Sequence, residues 1–223
     1  FLSVLSHELK APLNAVEGYL RMMQEKQSGE LVDDYAIPID RSLQRIQSMR
    51  NLIMDLLDFT IIRLERKEEK VEEVHLSTIA SNAIVTVQPY AIQMEVTVSM
   101  NVISDAIMMA DPTDLEIIFN NLVSNSVKYN KRGGKAEVTI DENDNEVIIS
   151  FSDTGIGINE TDRENLFSEF VRIKNEKTKN ITGSGLGLSI VRKVVEPYNG
   201  SIFVDSVPDI GTTFTVRLPK KSN

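Results

Sequence analysis

The chain has 223 residues, enough for one large or two ordinary domains, and its 41% hydrophobic and 26% charged content is that of a soluble globular protein. Cysteine is absent, which excludes disulfides and thiolate metal sites. A net charge of −9 without a basic patch argues against a nucleic-acid partner. No apolar run approaches the roughly 18 residues of a transmembrane helix. The absence of cysteine suits a reducing compartment, so we expect a cytoplasmic location. Because the sequence starts at Phe1 inside a helical pattern, we also expect a fragment that lacks an upstream part.

A predicted helix opens the chain, from Phe1 to about Lys26. A helix turns about 100° per residue, so His7, which Glu8 follows, falls opposite the apolar stripe. Pro12 removes one backbone donor and is expected to loosen the turn before it. Taken alone, a single histidine on a polar helix face is more often simply solvated. The stripe consists of Leu2, Leu5, Leu9, Leu13, Val16, Leu20 and Met23.

A second helix is predicted from about Asp33 to Arg66, with an apolar stripe close to a heptad repeat. One hairpin of two helices cannot cover so broad a stripe, so we predict a four-helix bundle formed across a dimer. The alternative is packing against the downstream domain. The charged run 63–73 ends the hairpin and divides the chain into domains at 1–68 and 69–223. The stripe contains Ile39, Leu43, Ile46, Met49, Leu52, Ile53, Leu56, Leu57 and Leu64.

Beyond the linker, helices and strands intermix, which predicts an α/β sandwich with a mixed sheet and helices on one face. Ser77 and Asp111 are the expected N-caps of the first two helices. The predicted helices are Ser77–Gln93, Asp111 to about Tyr129, and Leu186 to about Glu196; the predicted strands are Glu95–Met100, Ile107–Ala110, Ala136–Asp141, Glu146–Ser152, Ser201–Asp205 and Thr212–Leu218.

Two stretches of the second domain place polar side chains on a predicted helix and at the end of a predicted strand, where they could bind a nucleotide. Asn121 and Asn125 lie one turn apart on a helix, where amide oxygens suit Mg²⁺ and the nearby Lys128 suits a phosphate. Asp153 follows a strand and precedes Gly155 and Gly157; a fixed carboxylate there can accept the exocyclic amine of adenine. Separately, each also fits an ordinary polar helix face or a strand-end turn.

A second glycine-rich stretch, 183–188 (GSGLGL), opens a helix whose free N–H groups suit a phosphate chain. It lacks the preceding strand and the acidic residue about 20 positions later that accompany a Rossmann fingerprint, and it lacks the GxxxxGK[ST] sequence of a P-loop. The Lys- and Asn-rich segment 173–182 before it fits either a lid over phosphates or a plain surface loop.

Residues 167–172 (FSEFVR) lie between the two glycine-rich stretches. In this order, the stretches closely resemble the N, G1, F and G2 boxes of the sensor histidine kinases. Residues 211–214 (GTTF) look like the G3 box, 6–14 (SHELKAPLN) match the HisKA-type H box, and 55–59 (DLLDF) are similar to the end of that family's second helix. The resemblance covers essentially the whole chain. It implies a helical hairpin that forms a dimeric four-helix bundle, followed by an α/β sandwich of the Bergerat (GHKL ATPase) type.

The resemblance also implies an activity: ATP- and Mg²⁺-dependent phosphorylation of His7, with Glu8 as general base, and transfer to an aspartate on the receiver domain of a response regulator. Arg172 would stabilise the γ-phosphate, and Asn125 would hold Mg²⁺. An upstream sensor domain, with or without a membrane anchor, would complete the protein. The remaining histidine, His75, matches no motif. The implied nucleotide-binding residues are Asn121, Asn125, Lys128, Tyr129, Asp153, Gly155, Gly157, Ile158, Gly183, Ser184, Gly185, Leu186, Gly187, Leu188 and Thr212.

Three positions depart from the family pattern. Ala11 stands where the family usually has Thr or Asn to position the water that dephosphorylates the regulator, so we expect weak phosphatase activity. Ser126 replaces the commoner Ala of the N box, and Pro197 is expected to end the last helix early. One other reading stays open: a nucleotide-binding dimeric scaffold that has lost transfer. An ATP-gated clamp like other GHKL proteins is excluded, because those proteins lack the long H-box hairpin.

Overall fold

The computed structural model describes residues 13–21, 23, 37–43, 45, 46, 49, 53, 70–173, 175–179, 181 and 183–220. The chain forms two compact units; the smaller contains the N-terminal helical residues, and the larger contains the sheet. The expectations for His7, Glu8, Ala11 and Pro12 lie outside the described residues.

In the smaller unit, every described residue up to position 53 is helical, which agrees with the two predicted helices. Several apolar side chains of these helices are exposed, with between 44% and 60% of their surface accessible. Such residues are normally buried when they recur at helical spacing. They are Leu13, Leu20, Ile39, Leu43, Ile46 and Ile53.

Among the residues that the structure describes, the larger unit contains seven strands, four α-helices and one short 3₁₀ turn. In chain order they are β1 (Glu72–His75), α1 (Leu76–Met94), β2 (Thr97–Val102), β3 (Ile107–Ala110), α2 (Pro112–Lys128), β4 (Lys135–Glu142), β5 (Glu146–Asp153), α3 (Glu160–Arg163), α4 (Gly187–Val195), the 3₁₀ turn (Glu196–Tyr198), β6 (Ser201–Val207) and β7 (Gly211–Pro219).

Five of the strands form one mixed sheet in the order β2-β4-β5-β7-β6. β2 and β4 are parallel, and the remaining pairs are antiparallel. β1 and β3 form a separate antiparallel pair. The predicted mixed sheet is therefore confirmed.

Helices α1, α2 and α4 cover one face of the large sheet. Alternate residues of its central strands are buried beneath them, as the period of two in a strand requires. α2 contributes the largest buried stripe, and its Phe119 meets Phe151 of β5 edge to face, with ring centroids 5.3 Å apart. The prediction of helices on one face is confirmed.

The start of α2 follows the sequence prediction. Asp111 is its N-cap: the carboxylate accepts a hydrogen bond of 2.9 Å from the backbone N–H of Thr113, and Pro112 occupies the first turn. The hydroxyl of Tyr198 joins this cap to the end of α4, because it accepts from the Asp111 N–H at 3.1 Å and donates to Asp114 Oδ2 at 2.7 Å.

The predicted N-cap at Ser77 is wrong. α1 begins at Leu76, with His75 at the cap position, and the Ser77 hydroxyl instead donates to Asp105 Oδ1 at 2.9 Å. The physical reason is tertiary: the Leu76 N–H donates to the Ala106 carbonyl at 3.1 Å, so a side-chain cap is not needed there. α4 ends at Val195, and Pro197 lies in the 3₁₀ turn that follows, as expected.

Replacing Tyr198 with Phe is expected to lower the free energy of unfolding by about 1–2 kcal/mol, because the Asp111 N–H and the Asp114 carboxylate both lose a partner. Urea unfolding followed by circular dichroism measures the change. Tyr90→Phe is the matched control, since the Tyr90 hydroxyl makes no hydrogen bond to any described residue. Equal effects of the two substitutions would contradict the assignment.

Candidate nucleotide-binding site

Asn121 and Asn125 lie one turn apart on α2, both half-buried. The Asn121 amide donates to the Ile117 carbonyl at 2.9 Å, which fixes its orientation and leaves its oxygen as an acceptor. A methyl group at Gly187, the first residue of α4, would lie only 2.5 Å from that oxygen. The N-terminus of α4 therefore contacts the asparagine face of α2.

Asp153 ends β5 beside β7, where its register partner is Thr212. Its carboxylate accepts hydrogen bonds from the backbone N–H groups of Gly155, at 2.8 Å, and Thr212. Burial nevertheless raises the pKa of Asp153 from 3.8 to about 6, and the two hydrogen bonds offset only part of this effect. Among the described residues, no cation forms an ion pair with Asp153, and a carboxyl whose pKa is raised by burial is a feature of functional sites.

The loop after Asp153 passes very close to other main-chain segments. A Cβ at Gly155 would lie 2.2 Å from the Tyr129 carbonyl oxygen, and one at Gly157 would lie 2.1 Å from the Val207 carbonyl oxygen. Gly157 also has φ +65, which side chains disfavour. Both glycines are thus required by the fold of the protein itself.

Ile158, which follows this loop, is held by a residue that the sequence analysis missed. Ser206 on β6 accepts from the Ile158 N–H at 2.8 Å, and its hydroxyl lies 2.9 Å from that of Thr212. Ser206 and Thr212 are both buried. A lone serine in a predicted strand carries no sequence signal for this role; only the β6–β7 register places it here.

At the end of α2, a cation lies close to an aromatic ring. The Lys128 ammonium lies 5.2 Å from the centroid of the Tyr129 ring. Burial raises the pKa of the Tyr129 hydroxyl, and the positive charge of Arg172 partly counteracts that effect. The Arg172 guanidinium also donates to the Ile181 carbonyl.

The glycine-rich stretch before α4 meets the segment around Arg172. Gly185 has φ +77, and a Cβ there would lie 2.9 Å from both the Phe170 carbonyl carbon and the Val171 oxygen. Leu186 is fully buried, and Leu188 packs against the core, so both anchor the start of α4. Gly183 and Ser184 lie in irregular backbone that leads into this turn.

The described part of the 173–182 segment is a compact turn. The Asn175 side chain accepts from the N–H groups of Lys177 and Thr178, each at 3.0 Å, and the Thr178 hydroxyl donates to the Ile173 carbonyl at 2.6 Å. Lys177 forms an ion pair with Asp209 in the β6–β7 turn. An open cleft of about 570 Å³ is lined by Arg172, Asn175, Glu176, Thr178 and Lys179.

Comparison with known proteins identifies the family. Residues 110–222 match the family described as histidine kinase-, DNA gyrase B-, and HSP90-like ATPase, and residues 1–65 match the His kinase A (phospho-acceptor) domain. The chain belongs to the sensor histidine kinase family. The predicted family, fold class and enzyme class are thereby confirmed.

Individual relatives agree with this assignment. The circadian input-output histidine kinase CikA of Synechococcus elongatus is 31% identical over 100% of this chain and 30% of its own length. The Acinetobacter baumannii histidine kinase AdeS has a TM-score of 0.76 at 17% identity, covering 97% of this chain and 98% of that one. The histidine kinase ThkA was solved in complex with the response regulator protein TrrA. It has a TM-score of 0.74 at 23% identity, and the match covers 99% of this chain and 61% of that one.

The chain is shorter than its curated relatives. It spans between 27% and 38% of the length of the first such proteins that it matches. Within the described part of the histidine kinase chain, no helix has the length and apolar character that crossing a bilayer requires.

The raised pKa of Asp153 predicts a pH-dependent stability. The folded state binds this proton at about pH 6 and the unfolded state near 3.8, so the contribution of Asp153 to the free energy of unfolding grows as the pH falls from 7.5 to 5. Asp153→Asn removes the charge and is expected to stabilise the protein at pH 7.5 by about 1–2 kcal/mol, and less at pH 5.

Urea unfolding at the two pH values measures this difference. Glu137→Gln, which replaces an exposed carboxylate on β4, is the control. A stabilisation by Asp153→Asn that is the same at both pH values would refute the role given to burial.

Proposed function

We propose that this histidine kinase core uses ATP to phosphorylate His7 and then transfers the phosphoryl group to an aspartate on the receiver domain of a response regulator. One observation supports this most: four stretches that are distant in sequence converge. Gly187 contacts Asn121, Gly185 contacts the Arg172 segment, and Tyr129 contacts the Asp153 loop. The TrrA complex of the structurally similar ThkA adds support for the partner.

The chemistry of the converging groups fits ATP. A carboxylate held at Asp153 can accept the exocyclic amine of adenine. The cations Lys128 and Arg172 and the N-terminal N–H groups of α4 suit a chain of phosphates. The other proposed nucleotide contacts are Asn121, Tyr129, Gly155, Gly157, Ile158, Gly183, Ser184, Gly185, Leu186, Gly187, Leu188 and Thr212.

The amide oxygen of Asn125, with Asn121 beside it, is the proposed ligand for Mg²⁺. When bound, the ion would neutralise phosphate charge during transfer. The protein contributes a neutral amide ligand there, which suits an ion held mainly by phosphates.

The proposed transfer begins on the imidazole of His7. Its free nitrogen attacks the γ-phosphorus of ATP, so that a P–N bond forms, the bond to the bridging oxygen breaks, and ADP leaves. Glu8 hydrogen-bonds the N–H of the other ring nitrogen and takes up its proton as positive charge develops on the ring. Arg172 stabilises the charge of the transferred group.

Dimerisation through the hairpin, 1–68, is part of the proposal, with 69–223 as the catalytic domain. The exposed apolar side chains of the helical unit support it, because a second copy would remove them from water.

Incubation with γ-labelled ATP and Mg²⁺ is expected to label the chain at His7, with a bond that acid cleaves and alkali does not. His7→Gln should abolish labelling because it removes the nucleophile. His75→Gln is the matched control, since the chain has only two histidines, and it should keep full labelling. Acid-stable label, or label that persists in His7→Gln, would overturn the proposal.

We also propose that phosphatase activity toward the regulator is weak, because Ala11 has no side chain that could position a water molecule. Ala11→Thr should increase the rate at which the chain dephosphorylates a phosphorylated receiver domain, while Ala11→Val, of similar shape, should not. Efficient dephosphorylation by the unchanged chain, with no gain in Ala11→Thr, would contradict this expectation.

A further inference from the structure

Asn130 is a buried side chain, only 6% exposed, that lies outside every motif of the sequence analysis. Its amide group uses its full hydrogen-bonding capacity within the protein. The nitrogen donates to the Ser126 carbonyl at 2.9 Å and to the Lys135 carbonyl at 2.8 Å. The oxygen accepts from the Lys131 N–H at 3.0 Å and, over a longer 3.4 Å, from the Thr154 hydroxyl. Asn130 therefore joins the end of α2, the start of β4 and the loop after β5.

The same three segments are tied again through Thr154, the residue next to Asp153. Its hydroxyl accepts from the Lys135 N–H at 2.9 Å, and its own N–H donates to the Lys135 carbonyl at 3.0 Å. Two residues on, the Ile156 N–H donates to the Tyr129 carbonyl, also at 3.0 Å. The loop that carries Asp153 thus has its position set by residues 129, 130 and 135.

Space around Asn130 is tightly filled. A Cβ at Gly134 would lie 2.1 Å from the Asn130 side-chain oxygen, so the amide cannot turn without moving the chain between α2 and β4. A buried amide whose partners are all main-chain or hydroxyl groups, in a close-packed setting, fixes geometry strongly, because breaking it leaves polar groups without partners.

We infer that Asn130 is a positioning residue for nucleotide binding: it holds Asp153 at a fixed place relative to the polar face of α2. The inference rests on the proposed function, in which Asp153 binds adenine and α2 supplies Asn125 and Lys128. Adenine and the phosphates are covalently joined in one ligand, so the two protein elements must stay within a limited spacing for both ends to bind together.

The test compares Asn130→Ala with a matched asparagine at the other end of β4. The Asn143 side chain accepts from the N–H groups of Asn145, at 2.9 Å, and Glu146, at 3.0 Å, in the β4–β5 turn. Both substitutions should lower the melting temperature. Only Asn130→Ala should weaken ATP binding, by about tenfold, measured by isothermal titration calorimetry well below both melting temperatures.

A double-substitution cycle separates positioning from general loss of structure. In an Asp153→Asn background, adding Asn130→Ala should cause less than about a twofold further loss of ATP affinity, because the group that it positions is already gone. Thr154→Val should weaken binding in the same way as Asn130→Ala, and Thr154→Ser, which keeps the hydroxyl, should not.

Equal ATP affinities for Asn130→Ala and Asn143→Ala, or fully additive losses in the cycle, would overturn the positioning role. Failure of the proposed function has a different signature: either the unchanged chain would not bind ATP, or Asp153→Asn would bind it normally.

Discussion

The packing of α2 against the sheet is the constraint on which the candidate nucleotide-binding site depends. Leu115, Ile118, Phe119 and Leu122 are fully inaccessible to solvent, and Phe119 meets Phe151 of the central strand. Close packing of this kind tolerates little sliding or rotation. The other side of the helix therefore presents Asn121 and Asn125 in a fixed direction, and the loop carrying Asp153 is built against its end.

Much of this arrangement was predictable from local sequence, and particular residues show why. The Asp111–Pro112 start of α2 is a local signal, because an N-cap carboxylate and a first-turn proline act within one turn. Alternation along β4 and β5 gave strands whose observed bounds differ from the predicted ones by one residue at most. Motif order gave the family, which the comparisons confirm.

The features that could not be predicted from the sequence depend on contacts between segments that are far apart in the chain. Ser77 looks like a cap, yet a carbonyl from the loop before β3 satisfies the first amide of α1 instead. Ser206 and Asn130 carry no recognisable pattern, because their roles arise only when β6 lies beside β7 and α2 ends beside β4. The site residues of the helical hairpin, His7 and Glu8, lie outside the described residues and rest on the motif alone.

The crowding around Gly155 and Gly157 predicts which residues of the DxGxG motif would be kept in a relative that no longer binds nucleotide. Each glycine is required because a neighbouring carbonyl of the same chain occupies the space that a side chain would need. Selection for folding would therefore still retain both glycines after nucleotide binding was lost. Asp153 would no longer be retained, because its buried charge opposes folding near neutral pH. A descendant that had stopped binding ATP would be expected to keep the glycines of the DxGxG motif and lose its acid, so the acid is the informative residue of that motif.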